Sequence, residues 1–164
     1  MTTSQSASVT TRDAVVYALN RCIEAGLDAQ KGYATAAADV RDEELKTTLQ
    51  LRSDERAGFV VALQHAVREM GGWAENHGSL EGTLHRVWIE TRIAVEGPSD
   101  ASVLVECERG ERRCLAAYDT LLAVAGYNGR LPYSLRALIA KQHRTVRACL
   151  EDIGARLGRS PSPA

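Results

Sequence analysis

Residues 104–119 read "LVECERGERRCLAAYD". Leu104, Cys107, Glu111, Cys114, Tyr118 and, just beyond, Leu121 recur at steps of three and four. That spacing marks one face of an α-helix, and nothing here alternates with period two. A helix with an apolar stripe buries it. Yet Glu111 sits on the stripe between two thiols. Two readings stay open. Glu111 belongs to a buried metal or redox site, or a neighbouring helix satisfies it. For the second, Arg52, Arg56, Arg112 and Gln142 are the candidate partners, since buried polar groups need partners and such networks can fix a bundle's register.

The helical period continues in both directions. A first helix is expected over about 11–38, with the stripe Val16, Leu19, Ile23, Leu27, Ala34 and Ala37. Thr10 or Thr11 can cap it, with Asp13 near the positive end of its dipole. Asp42 is a good N-cap for a second helix over 42–70, with Phe59, Leu63, Ala66 and Met70 inward. Gly71 and Gly72 stop it. A shorter helix is expected over 80–95, with Leu84, Val87, Trp88 and Thr91 on one side. Pro98 breaks the chain. Ser99 or Asp100 caps a helix over 100–125. Pro132 opens the last, 132–157, with Leu135, Leu138, Val146, Cys149, Ile153 and Leu157 inward.

The predicted fold class is therefore all-α: a four-helix bundle of two antiparallel hairpins, with the extra short helix in one long crossover. That is the topology of ferritin-like bundles. Residues 11–158 are expected to form a single domain, and the polar ends, 1–10 and 159–164, to be disordered tails.

Composition narrows the function classes. The 164 residues carry 20 Lys and Arg against 21 Asp and Glu. That balance offers no basic excess to neutralise a phosphate backbone, so no nucleic-acid partner is expected. No run of about 18 apolar residues occurs, so no membrane span is expected. The polar N-terminus "MTTSQSASVTTR" lacks the apolar core of a secretory signal, and a cytoplasmic location is expected. Cys22, Cys107, Cys114 and Cys149 form no C-x-x-C. Cys107 and Cys114 lie about 10 Å apart along one helix, beyond disulfide reach. Buried free thiols are the plain reading. G-x-S-x-G, P-loop and dinucleotide motifs are absent.

Five segments follow one another in order: 19–49 "LNRCIEAGLDAQKGYATAAADVRDEELKTTL", 58–72 "GFVVALQHAVREMGG", 78–95 "GSLEGTLHRVWIETRIAV", 104–119, and 131–146 "LPYSLRALIAKQHRTV". Together they resemble the bacterial four-helix-bundle family called domain-of-unknown-function family 2383, in the ferritin-like superfamily. The resemblance covers about 14–155, with "GSLEGTLHRVW" and "ECERGE" its most specific pieces. It implies a ferritin-like fold and supplies no activity. The chain departs from the family pattern at Ala38, where relatives often carry glutamate, and at Leu150, where they often carry histidine.

Ferritin-like di-iron sites take a carboxylate from each of two helices and Glu-x-x-His from each of the other two. No Glu-x-x-His occurs: Glu81 and His85 are four apart, Glu75 and His77 two. A looser ligand set remains in Glu55, Glu108, Glu111 and His143, whose oxygens and imidazole suit iron or another divalent metal. No cofactor is required by any motif.

Three function classes follow. The first is a non-enzymatic, stress-linked bundle acting as a homo-oligomer or through a protein partner. The second is a metal-binding bundle that stores or reacts with iron. The third is thiol redox sensing by Cys107 and Cys114, which requires an exposed, acidified thiol. The lack of Glu-x-x-His favours the first and argues against an enzyme.

Overall fold

The computed structural model describes residues 11–79, 99–128 and 131–158. They form four α-helices: α1 (Thr11–Asp39), α2 (Glu43–Glu69), α3 (Asp100–Asn128) and α4 (Tyr133–Arg156). The described residues contain no strand. The expected crossover helix at 80–95, with Glu81, His85 and Trp88, lies outside the described residues. So do Thr10 and the tails 1–10 and 159–164.

Local signals set the helix ends. Asp42 caps α2 by accepting from the Leu45 N–H at 2.6 Å. Gly71 ends that helix with φ +69°, a left-handed conformation that glycine adopts without strain. Ser99 caps α3, its hydroxyl accepting from the Ser102 N–H at 3.1 Å. Pro132 immediately precedes α4.

The contacts fix the topology. Ser53 on α2 donates to the Gln30 carbonyl on α1, and Gly72 packs on Val16. The two helices therefore run antiparallel. Cys114 on α3 donates to the Ala25 carbonyl, and Asp100 accepts from the backbone N–H groups of Arg41 and Asp42. So α3 is antiparallel to α1 as well, and parallel to α2. Tyr118 on α3 meets Gln142 on α4, while Tyr33 on α1 meets Cys149, so α4 runs parallel to α1 and antiparallel to α3, completing a second hairpin. The segment between α2 and α3 must then run from one end of the bundle to the other, about 40 Å for a helix of this length. This is the long crossover predicted from the loop lengths.

The described start of that crossover lies across the outer surface of α1. The Asn20 amide donates to the Trp73 carbonyl and accepts from the Glu75 N–H, each at 2.9 Å. Farther along, Asp28 accepts from the Ser79 N–H and hydroxyl. A Cβ on Gly78 would collide with the Asp28 carboxylate, so a bare glycine lets the strap come close to α1 at this point.

α1 packs against both α2 and α3, while α4 packs against α3. The inward face of α1 is built from small residues, Ala18, Ala29, Ala36 and Ala37, interrupted by Leu19, Ile23 and Tyr33. The expected stripe needs correcting here. Ala34 is exposed and Tyr33 is buried in its place, while Val16 and Leu27 are half-buried. On α2, Val60 takes the buried position next to the half-buried Phe59. The α3 stripe is buried throughout, Glu111 included.

A close approach of α1 and α2 depends on Gly26, where a Cβ would sit 2.8 Å from a methyl of Val60. Overpacking of this kind costs about 1–3 kcal/mol. Gly26→Val should lower the urea midpoint accordingly. Gly32 sits on the same helix with nothing within 4 Å of its would-be Cβ. Gly32→Ala should raise stability by about 0.5–1 kcal/mol through helix propensity alone. Equal effects at both positions would contradict this account of the α1–α2 contact.

Candidate functional site

The middle of the bundle is polar. On α2 the sequence Leu49, Ser53, Arg56, Val60, Leu63, Val67 advances by threes and fours and lies wholly in the core. This phase carries Arg56 inward, where it is 1% exposed. Glu111 on α3 is 0% exposed and faces it. The Arg56 Nε donates to Glu111 Oε1 at 2.9 Å, and its Nη1 donates to Glu55 Oε2 at 2.9 Å. The guanidinium carbon lies 5.1 Å from the Phe59 ring centroid, which adds a cation–π contact. Burial opposes the Arg56 charge, but the charge and hydrogen bond of Glu111 outweigh it, and the guanidinium's pKa is raised. Among the described residues, Arg56 Nη2 and Glu111 Oε2 have no hydrogen-bond partner.

Around this pair the polar groups close on one another. The Tyr33 hydroxyl and Cys149 thiol lie 3.1 Å apart, joining α1 to α4. Tyr118 donates to the Gln142 side-chain oxygen at 2.8 Å, and the Gln142 amide donates to the Phe59 carbonyl at 3.4 Å. Gln142 thus links α4 to both α3 and α2. These contacts satisfy core groups that would otherwise be desolvated at a cost of about 1–3 kcal/mol each.

The four sequence-derived metal candidates fall in three places. Glu111 and Glu55 share Arg56. Glu108 is buried one turn from Glu111, and it accepts from Arg112 at 2.7 Å. His143 lies on the α3–α4 seam, 2.8 Å from Asp119. Among the described residues, no three His, Cys, Asp or Glu side chains gather as a metal-ligating group. Of the partners considered for Glu111, the structure selects Arg56. Tyr33 was missed by the sequence reading, although the run Ala29, Tyr33, Ala36, Ala37, Val40 carries a helical period that could have revealed it.

All four cysteines are buried and free. Burial pushes the Cys22 thiol up to about 12 and Cys149 to about 11, and raises Cys107 and Cys114 as well. A reactive sensor thiol needs the opposite shift. Burial also raises the Tyr33 and Tyr118 hydroxyls, and for Tyr33 the charge of Glu111 adds to it.

These features define a four-helix bundle whose core charge is neutralised by its own side chains. The chain belongs to the family described as Domain of unknown function (DUF2383), whose model matches residues 14–124. No match was found among curated proteins.

Glu111→Ala would leave the buried guanidinium without its main counter-charge. The expected loss is about 3–5 kcal/mol, read as a lower urea midpoint. Replacing both partners, Arg56→Met with Glu111→Leu, should be neutral or stabilising by about 1–4 kcal/mol. A Glu111→Ala variant as stable as wild type would show the pair to be energetically idle.

The thiols give a pH dependence with a definite sign. Above the ordinary thiol value of 9.0 the unfolded chain releases protons that the folded chain retains. The thiol contribution is therefore complete below about pH 9 and is lost as pH rises towards about 11 for Cys149 and about 12 for Cys22. Denaturant melts should show stability falling over that range. Cys149→Ala should make the slope shallower by up to about 1.4 kcal/mol per pH unit. An unchanged slope would mean that this thiol ionises in the folded state.

Proposed function

We propose that this chain is a non-enzymatic bundle of ferritin-like descent. Its four helices act as one domain, and it works through self-association or a protein partner in the bacterial cytoplasm, in a stress-linked role. The observation that carries the reading is the Arg56 guanidinium held between Glu55 and Glu111. With core carboxylates engaged by arginine, chemistry at the bundle centre has no support, and function moves to the surface. The long-crossover topology supports the ferritin-like descent. No helix among the described residues is long and apolar enough to cross a membrane, in keeping with a soluble partner.

The outer face of α2 offers the best surface for association. Leu51, Asp54, Gly58, Val61 and His65 are all exposed and step by threes and fours. Leu51 and Val61 are each 64% exposed, and Gly58 has open space where a side chain would be. A 3.5-residue seam with a small residue at its centre fits a helix from a second copy. Sedimentation velocity over a concentration series tests this. Wild type should associate, and Leu51→Glu with Val61→Glu should weaken association by at least about tenfold, or about 1.4 kcal/mol, with helicity retained. A monomer at all concentrations would remove self-association and leave only the partner arm.

A second reading, an iron-binding bundle with a storage or oxidase-like role, has one observation in its favour. Glu111 Oε2 is buried and accepts no hydrogen bond among the described residues, with buried Glu108 one turn away. Iron retained stoichiometrically after anaerobic loading, and lost in Glu111→Ala, would establish that reading.

A further inference from the structure

The geometry points to Arg56 as the resident cation of this bundle, a side chain that fills the place a divalent metal would take between Glu55 and Glu111 and so excludes one. Metal sites in helical bundles are built from carboxylates projecting inward from facing helices. Here two helices supply them: Glu55 from α2 and Glu111 from α3. Glu111 is 0% exposed. Buried carboxylates require a compensating positive charge. The Arg56 side chain enters from α2 and donates one nitrogen to Glu111 and another to Glu55, each at 2.9 Å. A guanidinium is charged at every accessible pH and does not dissociate. It therefore holds a permanent positive charge against both glutamates, as a bound ion would do only when loaded.

Glu111 Oε2 supplies the second observation. It is fully buried and unpartnered among the described residues, so arginine uses only part of the carboxylate's capacity. With Arg56 shortened, the oxygens it now occupies would join this one as donors. Oxygen donors of this kind suit manganese. The residues present do not fit a metal alongside Arg56, because the guanidinium already sits on Glu55 and Glu111. The inference deepens the non-enzymatic reading, and the association assay on α2 remains independent of it.

The test is a titration of wild type, Arg56→Ala and Arg56→Gln with Mn²⁺, reading free ion by electron paramagnetic resonance and melting temperature in parallel. Wild type should leave the free-ion signal unchanged. Either shortened variant should bind stoichiometrically, at least about tenfold more tightly than wild type. It should melt higher with metal than without, and Glu111→Gln should abolish both effects. A variant that is unfolded alone should refold when Mn²⁺ is added, because binding free energy then becomes folding free energy. Three results would overturn the inference: stoichiometric binding by wild type that Glu111→Gln removes, a folded shortened variant that takes up no ion, or an unfolded one that the ion fails to rescue.

Discussion

Arg56 and Glu111 are charged groups taken almost wholly out of water, on helices that belong to different hairpins. Their attraction offsets a desolvation cost of several kcal/mol per ion only if they meet with good geometry. That condition constrains the rest of the molecule. A slip of one residue in α2 would turn Arg56 out of the core, and a slip in α3 would do the same to Glu111. A shift of the two hairpins along the bundle axis would separate them. The apolar contacts are more permissive, because leucine, valine and isoleucine find partners in several registers. The charged pair thus selects one arrangement from among those the apolar residues would accept.

The small residues of α1 make that arrangement possible. Among the described helices, α1 alone packs closely on both α2 and α3. Its alanines and Gly26 keep those two helices near enough for an arginine to reach across to a glutamate. Tyr33 then fills space on the same helix and reaches Cys149 on α4. Gln142 ties α4 to α2, whose backbones lie farther apart, by donating to the Phe59 carbonyl. Long polar side chains thus close the side of the bundle that backbone packing leaves open.

Much of this is legible in the sequence. The α3 stripe could be phased from its sequence because charged residues, Glu106, Glu108, Arg109, Arg112, Arg113 and Asp119, fall between its members. Asp42, Gly71 and Ser99 announce helix ends through local chemistry, and local chemistry survives folding unchanged. The phases of α1 and α2 were harder. "YATAAAD" and "GFVVAL" are apolar or small at almost every position, so no single face stands out. Periodicity there favours Ala34 over Tyr33 and Phe59 over Val60, and packing reverses both. Arg56 appeared as a candidate partner for Glu111, but a charged residue reads as surface until its counter-charge is placed in space. Glu55, Glu108, Glu111 and His143 were grouped by chemistry, whereas the fold sends them to three different arginine or aspartate partners.

The order of assembly follows from the placement of the charged pair. The α1–α2 hairpin has a three-residue connection and can form early, since closing a short loop costs little entropy. While it stands alone, Arg56 is free to stay hydrated. Only when α3 arrives, from a position 55 residues away in sequence, does the guanidinium lose its water and meet Glu111. Dehydration and docking therefore fall in the same event. The reverse step, parting the two hairpins, must rehydrate both charges at once.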